Sequence, residues 1–215
     1  MGGPFSTDQE TFWAGAFGDA YIDRNSDPAA VAHRIALFSE ILRRTRGVSS
    51  VLEFGANSGQ NLCALRSLLP RCALAGVEIN PTAVSRLRQI PDVKVLHGSL
   101  LQLSPDELGV YDLTFTVGVL IHLDPNSLAD AYARLHDCTR SYICLVEYYN
   151  PTPTEVTYRG HAGRLFKRDF AGELLDRYQE LELVDYGFQY HRDFNFPADD
   201  VTWFLLRKSH EGVGR

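Results

Sequence analysis

Nine consecutive residues decide the fold: Glu53-Phe54-Gly55-Ala56-Asn57-Ser58-Gly59-Gln60-Asn61. The apolar run 50–54 predicts a buried strand before them, and apolar residues at helical spacing over 60–69 predict a helix after them. Gly55 and Gly59 let the backbone approach a ligand closely, and Asn57 tolerates a positive φ. The first N–H groups of the helix favour a carboxylate or another anion. The stretch therefore predicts a strand–turn–helix unit that binds a ligand.

Apolar runs and helical segments alternate outward from this unit. Further strands are predicted at 73–77, 93–96, 111–117 and 142–147, and helices at 81–89, 127–137 and 168–178. This alternation indicates an α/β fold with a doubly wound, mostly parallel sheet. Two last strands, 182–190 and 201–207, predict a C-terminal antiparallel hairpin at the edge of what is then a seven-stranded sheet. The stretch 150–166 is expected to be irregular.

The N-terminal part, 7–46, carries a helical pattern that breaks at 24–28, where Asp27 before Pro28 predicts the start of a new helix. Its first half is dense in aromatic side chains, among them Trp13 and Tyr21. We predict that residues 1–46 form a helical lid that excludes water from a site on a Rossmann-like domain, residues 47–215. The simpler alternative is that these side chains only pack against the sheet and take no part in a site.

Composition limits the partners. The formal net charge is −6 and no basic run occurs, so nucleic acid is not an expected partner. No apolar run approaches the ~18–20 residues that cross a bilayer, so a membrane is not expected either. The cysteines form no CxxC pair and follow no signal peptide, which predicts free thiols in a cytoplasmic protein. His161, His191 and Asp193 are too scattered to predict a metal site, and the oligomeric state stays open.

Glu78 ends the second predicted strand, about 20 residues after the glycine turn, where a carboxylate accepts from two ribose hydroxyls. That arrangement suits NAD or S-adenosylmethionine. The turn reads Glu-x-Gly-x-Asn-x-Gly, unlike the dinucleotide pattern G-x-G-x-x-G. It resembles the first motif of class I methyltransferases, Glu/Asp-x-Gly-x-Gly-x-Gly, whose leading acid, here Glu53, lies near the methionine amino group. The resemblance implies a Rossmann-like class I methyltransferase fold and S-adenosylmethionine as cofactor.

The same resemblance places further cofactor contacts. Val117 ends the fourth predicted strand and opens a segment similar to the one that passes under the sulfonium. Ser99 stands where relatives often have the aspartate that accepts from the adenine amino group, so this contact stays open between Ser99 and a backbone carbonyl. A separate expectation follows from the lid interpretation, in which Arg24 would meet the methionine carboxylate. The predicted cofactor contacts are Arg24, Glu53, Gly55, Asn57, Gly59, Asn61, Glu78, Ser99 and Val117.

Reacting groups are expected at the ends of the fourth and fifth strands. His122 is a candidate general base, or a histidine that only packs or hydrogen-bonds a loop. Glu147 is a candidate base or substrate ligand, and Tyr149 and Asn150 follow it as further candidates for the reaction. The next loop mixes aromatic and charged residues, which is typical of substrate binding. Together with the lid it gives the predicted substrate contacts Trp13, Tyr21, Tyr158, Arg159, His161 and Lys167.

Nearly the whole chain resembles one narrower group, the pseudaminic acid biosynthesis-associated methylases. The likeness lies in the segments 12–25, 53–57, 147–151, 158–161, 166–170 and 190–193. It implies methyl transfer to an oxygen or a nitrogen of a small polar metabolite, such as an acidic sugar or an amine, in a biosynthetic pathway.

Two alternatives use the same cofactor site. In a cyclase, the α-amine of S-adenosylmethionine would attack its own Cγ, giving azetidine-2-carboxylic acid and methylthioadenosine. The aromatic lid, acceptors such as Tyr149 and Asn150, and the lack of a large substrate domain suit that reaction. In the second alternative, the protein binds the cofactor without catalysing a reaction. The polar residues clustered at the strand ends favour an enzyme over such a binder.

Overall fold

The computed structural model describes residues 5–24 and 30–209. The helices in these ranges are α1 Asp8–Ala14, α2 Ala16–Arg24, α3 Ala30–Leu42, α4 Gln60–Leu68, α5 Pro81–Leu87, α6 Pro105–Leu108, α7 Leu128–Asp137 and α8 Phe170–Arg177. The strands are β1 Ser50–Phe54, β2 Ala73–Glu78, β3 Val93–His97, β4 Tyr111–Val117, β5 Thr139–Glu147, β6 Thr154–Glu155, β7 Phe166–Lys167, β8 Leu181–Phe188 and β9 Thr202–Lys208. Short 3₁₀ turns, Leu120–His122 and Pro125–Ser127, follow β4.

One seven-stranded sheet organises the chain, in the order β3-β2-β1-β4-β5-β9-β8. The first five of these strands are parallel, and β9 runs antiparallel to both of its neighbours, β5 and β8. The predicted seven-stranded, mostly parallel sheet with a C-terminal antiparallel pair is therefore confirmed. The last strand in sequence lies inside the sheet, and β8 forms its edge.

Two apolar layers cover the sheet, which explains why its central strands are almost continuously hydrophobic. On one face, α3 and α4 pack through side chains such as Phe38 and Leu62, both fully buried. On the other face, α7 and α8 contribute Ala131 and Leu174. With both faces covered, the carboxyl ends of the parallel strands are the place left for a ligand.

The helices α1 and α2 lie across these strand ends. Asn80, just after β2, donates through Nδ2 to the carbonyl oxygen of Trp13 at 3.2 Å and to Asp19 Oδ1 at 3.1 Å. Gly18 is the point of closest approach, because a Cβ there would lie 2.8 Å from Asn80 Nδ2. On the far side, Gln9 Nε2 donates to the Gly163 carbonyl at 3.1 Å. The two helices thus bridge the loop after β2 and the loop between β6 and β7.

The described residues of the predicted lid segment 1–46 fall into two parts, 5–24 and 30–46. Only α1 and α2 cross the strand ends, whereas α3 packs against the sheet through the buried residues Leu37, Phe38 and Ile41. The predicted helix start at Asp27 and Pro28 lies outside the described residues. None of the helices in the described ranges is long and apolar enough to cross a membrane.

The stretch expected to be irregular contains a small hairpin. The strands β6 and β7 pair antiparallel, and within the loop between them Tyr158 and His161 exchange backbone hydrogen bonds of 2.9 Å each. The two residues between these, Arg159 and Gly160, have φ of 49° and 86°. Positive φ at both central positions defines a type I′ turn, which favours glycine. In the sequence, only the glycine of the pair Arg159-Gly160 indicated this turn.

Candidate active site

A cavity of about 650 Å³ opens at the carboxyl ends of β1, β2 and β4, a size typical of sites for small molecules. It is walled by the glycine turn on one side and by α1 and α2 on the other. Of the residues predicted for the site from sequence, the cavity is lined by Trp13, Tyr21, Arg24, Gly55, Asn57, Asn61, Glu78, Ser99, Val117, His122, Tyr158 and Arg159.

The glycine turn after β1 brings bare backbone to the cavity. The N–H groups of Gly55 and Ala56 both donate to the Val77 carbonyl at 2.9 Å, which ties the turn to β2. Gly55 has φ of 72°, and a Cβ there would lie 2.5 Å from Val119 Cγ2. Asn57 also has a positive φ, 49°, as its residue type allows. Gly59 is the N-cap residue of α4 and lies outside the cavity lining. Its φ of 84° and the nearby Ile90 side chain exclude any residue with a Cβ at this position.

Glu78 stands at the end of β2 with its carboxylate in the cavity wall. Oε2 accepts from the Asn57 N–H and Oε1 from the Asn80 N–H, both at 2.7 Å. Burial raises the pKa of Glu78, and these backbone hydrogen bonds act in the opposite direction. A carboxylate has about four acceptor positions, so this one keeps capacity for two more donors. Two vicinal hydroxyls of a ribose are donors of that kind.

Glu53 lies beneath the cavity and not in its lining. Oε1 accepts from Asn61 Nδ2 at 2.6 Å, while Oε2 and Asn61 Oδ1 are buried with no hydrogen-bond partner in the described chain. Burial raises the pKa of Glu53 to about 8, although the Asn61 hydrogen bond and the charge of Arg34 lower it. A cationic group bound above it would favour the ionised form. The position therefore fits an ammonium-bearing ligand.

Arg34 is a cavity residue that the sequence analysis missed. It projects from α3 into the lining, close enough to Glu53, Tyr21 and Asp199 for their charges to raise its pKa against the larger effect of burial. The predicted arginine, Arg24, also lines the cavity, with its guanidinium 5.4 Å from the centre of the Phe17 ring. No local pattern marks Arg34, since α3 reads as an ordinary helix.

Aromatic rings close the cavity beside the end of β4. The Trp13 ring lies 4.5 Å from His122 and 5.3 Å from Tyr21, and Tyr158 lies 5.0 Å from His122, all measured between ring centroids. The Trp13 indole Nε1 is buried without a hydrogen-bond partner among residues 5–24 and 30–209. These rings come from α1, α2, the 3₁₀ turn after β4 and the turn between β6 and β7.

His122 is nearly buried and has one ring nitrogen engaged. Nδ1 lies 2.6 Å from the Arg164 carbonyl oxygen, which can only accept, so Nδ1 carries the proton and Nε2 keeps its lone pair. Burial lowers the pKa of His122 to about 4, although this hydrogen bond raises it. The ring is therefore neutral at physiological pH. A neutral imidazole with a free acceptor nitrogen in a cavity wall can take a proton from a bound acceptor group.

Glu147, expected to react or to bind substrate, lies outside the cavity lining. Its carboxylate is buried under the turn after β4, where it accepts from the N–H groups of Val119 at 3.0 Å, Leu120 at 3.1 Å and Ile121 at 3.4 Å. Burial raises its pKa to about 7 despite these hydrogen bonds. Its acceptor capacity is directed at backbone, so the structure assigns it to holding the turn that carries His122.

Four other predicted site residues also lie outside the lining. Tyr149 is half exposed and its ring lies 5.8 Å from Phe204, and Asn150 closes its own turn by donating to the Thr152 carbonyl at 2.5 Å. His161 packs behind the lid at 5.1 Å from the Phe12 ring. Lys167 lies 5.1 Å from the ring of Tyr148, which itself lines the cavity.

The loop between β8 and β9 adds polar side chains that sequence reasoning missed. Asp199 lines the cavity and hydrogen-bonds Tyr148, whose pKa is raised by burial and by this carboxylate among other charges. The other missed lining residues with polar side chains include Gln9, Glu10, His33, Asn80 and Gln189. In the described part of the chain, no group of three or more His, Cys, Asp or Glu side chains is arranged to hold a metal ion.

Part of the chain matches a known protein family, and most of the chain is similar to several solved structures. Residues 52–141, somewhat less than half of the chain, match the family described as Methyltransferase domain. A comparison with curated proteins gave no match. Among solved structures, the chain is similar to the Burkholderia thailandensis 1,6-didemethyltoxoflavin-N1-methyltransferase with bound 1,6-didemethyltoxoflavin and S-adenosylhomocysteine. The two share 17% identity over 98% of this chain and 94% of that one, with a TM-score of 0.68.

Two further solved structures are similar at comparable identity. The plantazolicin methyltransferase BpumL in complex with S-adenosylhomocysteine shares 13% identity over 94% of both chains, with a TM-score of 0.66. The glycopeptide N-methyltransferase MtfA complexed with S-adenosylmethionine shares 12% identity over 82% of this chain and 94% of that one, with a TM-score of 0.62. At these identities the likeness establishes the fold. The predicted class I methyltransferase fold is confirmed.

Proposed function

We propose that the protein is an S-adenosylmethionine-dependent methyltransferase that acts on a small polar acceptor. One observation carries the proposal: Glu78, with spare acceptor capacity, and the bare turn at Gly55 face the same cavity at the strand ends, across from an aromatic wall. The match to a methyltransferase domain and the cofactor in the similar structures support it.

The cofactor is assigned to residues along the strand ends. Glu78 would hold the ribose hydroxyls, and the backbone at Gly55 and Asn57 would pass against the ligand. The methionine ammonium would neutralise Glu53 from above, and Arg34 or Arg24 would pair with its carboxylate. Bound there, the cofactor supplies an electrophilic methyl group on sulfur.

The acceptor is assigned to the aromatic side of the cavity, between Trp13, Tyr158 and His122. Arg159 and Asp199 add one charge of each sign to this wall, which suits a polar acceptor better than a purely aromatic one. The lid, α1 and α2, would exclude water while the acceptor is held in line with the methyl group. An acidic sugar or an amine is the acceptor class to test first.

His122 is proposed as the base. Replacing it with glutamine, which keeps a polar side chain of similar reach, should lower the turnover number by about 100-fold or more, since proton transfer by a positioned side chain contributes ~10²–10⁴-fold. Binding of S-adenosylhomocysteine should change by less than about threefold. Because the pKa of His122 is lowered to about 4, its base form predominates from pH 5 upward and the rate should show no titration near pH 6.5. Full turnover by the variant would leave His122 a packing residue.

The function itself is tested by mass spectrometry of the reaction products. The purified protein is incubated with S-adenosylmethionine alone, and then with acidic sugars and with amines. Intact cofactor in the first case and S-adenosylhomocysteine with a methylated product in the second are expected. Absence of measurable S-adenosylmethionine or S-adenosylhomocysteine binding by calorimetry would overturn the proposal.

The cyclase is kept as a second candidate because of Glu53. A buried carboxyl with a pKa of about 8 and one unpartnered oxygen could take the proton that an α-ammonium must lose before it attacks Cγ. Methylthioadenosine and azetidine-2-carboxylic acid formed from S-adenosylmethionine alone would favour this reaction over methyl transfer.

A further inference from the structure

We propose that the carboxylate of Glu10, on the lid helix α1, accepts a hydrogen bond from the adenine amino group of the cofactor. The proposal rests on the proposed function and deepens it, because it makes the lid part of the cofactor site. It also answers the question left open by Ser99, which lacks the carboxylate that an exocyclic amine prefers as its acceptor.

Glu10 is buried to an unusual degree for a glutamate on a surface helix, with 4% of its surface exposed. Its Oε2 accepts from the N–H and hydroxyl of Ser6, at 3.1 and 2.7 Å, and from those of Thr7, at 2.9 and 3.0 Å. Its Oε1 is equally buried and accepts no hydrogen bond of ordinary geometry from the described residues, although the hydroxyl of Ser99 lies close enough to act on the carboxylate. Leaving a buried acceptor without a donor costs free energy, so this oxygen is suited to a ligand.

The surroundings of Glu10 keep it charged. Burial raises its pKa, but interactions with the hydroxyls of Ser99, Ser6 and Thr7 lower it further, so the net shift is downward. Glu10 and Ser99 both line the cavity, and the Ser99 hydroxyl is one of the groups that act on the carboxylate. Ser99 Oγ already accepts from the Leu101 N–H at 3.1 Å, which reduces its capacity to accept from a ligand.

The sheet order indicates which part of the cofactor reaches this wall. The strand ends run β4, β1, β2, β3 across the cavity. If the sulfonium lies at Val117 on β4 and the ribose on Glu78 at β2, the base extends toward the residues after β3, which are Gly98 and Ser99. The adenine amino group is a donor, and a charged acceptor beside Ser99 complements it.

The test measures nucleobase discrimination by calorimetry, with no turnover required. Wild-type protein is titrated with S-adenosylhomocysteine, with its analogue lacking the amino group, and with S-inosylhomocysteine, in which a carbonyl replaces that group. Loss of a hydrogen bond to a charged acceptor should weaken binding of the deamino analogue by about 10- to 100-fold. In Glu10→Gln the donors of Ser6 and Thr7 should hold the amide oxygen, which leaves the NH2 group, a donor, facing the ligand. The preference for the amino ligand should then disappear, and S-inosylhomocysteine should gain relative to S-adenosylhomocysteine.

A matched variant separates recognition from damage to the lid. Thr7→Val removes a side-chain contact of the α1 cap but leaves the Glu10 carboxylate, so it should weaken all three ligands by the same factor. Should Glu10→Gln not fold, Glu10→Asp takes its place, because it keeps the charge while withdrawing the carboxylate from Ser99. It should reduce the discrimination as well.

The outcomes distinguish this inference from the proposed function. Equal binding of the amino and deamino ligands by wild type overturns the inference, and so does undiminished discrimination by Glu10→Gln or Glu10→Asp, which would assign the contact to Ser99 or backbone. In both cases tight binding of S-adenosylhomocysteine leaves the methyltransferase proposal intact. Failure of wild type to bind any of the three ligands would instead sink the proposed function.

Discussion

Replacing Glu78 with alanine is expected to weaken S-adenosylhomocysteine binding on the order of 10²–10⁴-fold. The physical reason is the loss of two hydrogen bonds to a charged acceptor, each contributing roughly 1.5–3 kcal/mol. The backbone donors of Asn57 and Asn80 also lose their partner, so the cavity wall itself would relax. Isothermal titration calorimetry measures the effect directly.

The Glu78→Ala experiment needs a control variant that loses a carboxylate outside the cavity. Glu40→Ala, on an exposed position of α3 outside the cavity lining, serves as that control and should bind like wild type. Affinity within about threefold of wild type for Glu78→Ala would remove the ribose assignment. Since the whole cofactor placement starts from Glu78, the position of adenine beside Glu10 would then lose its basis too.

Replacing Glu147 with alanine is expected to lower the free energy of unfolding by about 3–5 kcal/mol. Three backbone N–H groups in the turn after β4 would lose their buried acceptor, and leaving such groups unpaired costs ~1–3 kcal/mol each. Urea denaturation followed by circular dichroism measures the loss. By comparison Glu182→Ala breaks an exposed ion pair with Arg207 and should change stability by less than about 1 kcal/mol.

The pH dependence of Glu147→Gln provides an independent check on its burial. The pKa of Glu147 is raised from 4.5 to about 7, so between these values the folded protein keeps a proton that the unfolded chain has released. The wild-type free energy of unfolding therefore falls as pH rises through this window, whereas the glutamine variant has no such titration. The stability difference between the two should shift in favour of the variant, on the order of 3 kcal/mol from pH 4.5 to pH 7. A variant as stable as wild type at every pH that loses only turnover would restore Glu147 as a base.

The fold was readable from the sequence because its signals are local. A few consecutive residues are enough to recognise each of these features: the apolar strands, the glycine turn before α4 and the acidic residue that ends β2. The predicted bounds of β1 and β4 match the structure, and those of the other strands of the large sheet differ by a few residues. The small hairpin β6–β7 was not predicted, because its strands have two residues each, which is too few to show a periodic pattern.

The candidate site was readable only in part, because side-chain direction depends on tertiary packing. Glu147 ends a strand beside the cavity, yet its carboxylate turns toward backbone donors that no sequence pattern reveals. Arg34 and Asp199 reach the cavity from elements far apart in sequence, α3 and the loop before β9. The aromatic residues Trp13 and Tyr21 line the cavity, as the density of aromatic side chains in this segment suggested.

The placement of Trp13 gives the protein a built-in optical reporter. The chain contains two tryptophans, and the other, Trp203, lies on β9 with 1% of its surface exposed. Trp203 is buried in the sheet and does not line the cavity, so its emission is expected to stay constant when a ligand binds. Trp13 stands in the cavity wall with its ring 4.5 Å from that of His122, a contact that any molecule entering between them would disturb. A change in tryptophan fluorescence on titration with a ligand is therefore expected to come from Trp13, and stopped flow can time it without an added label.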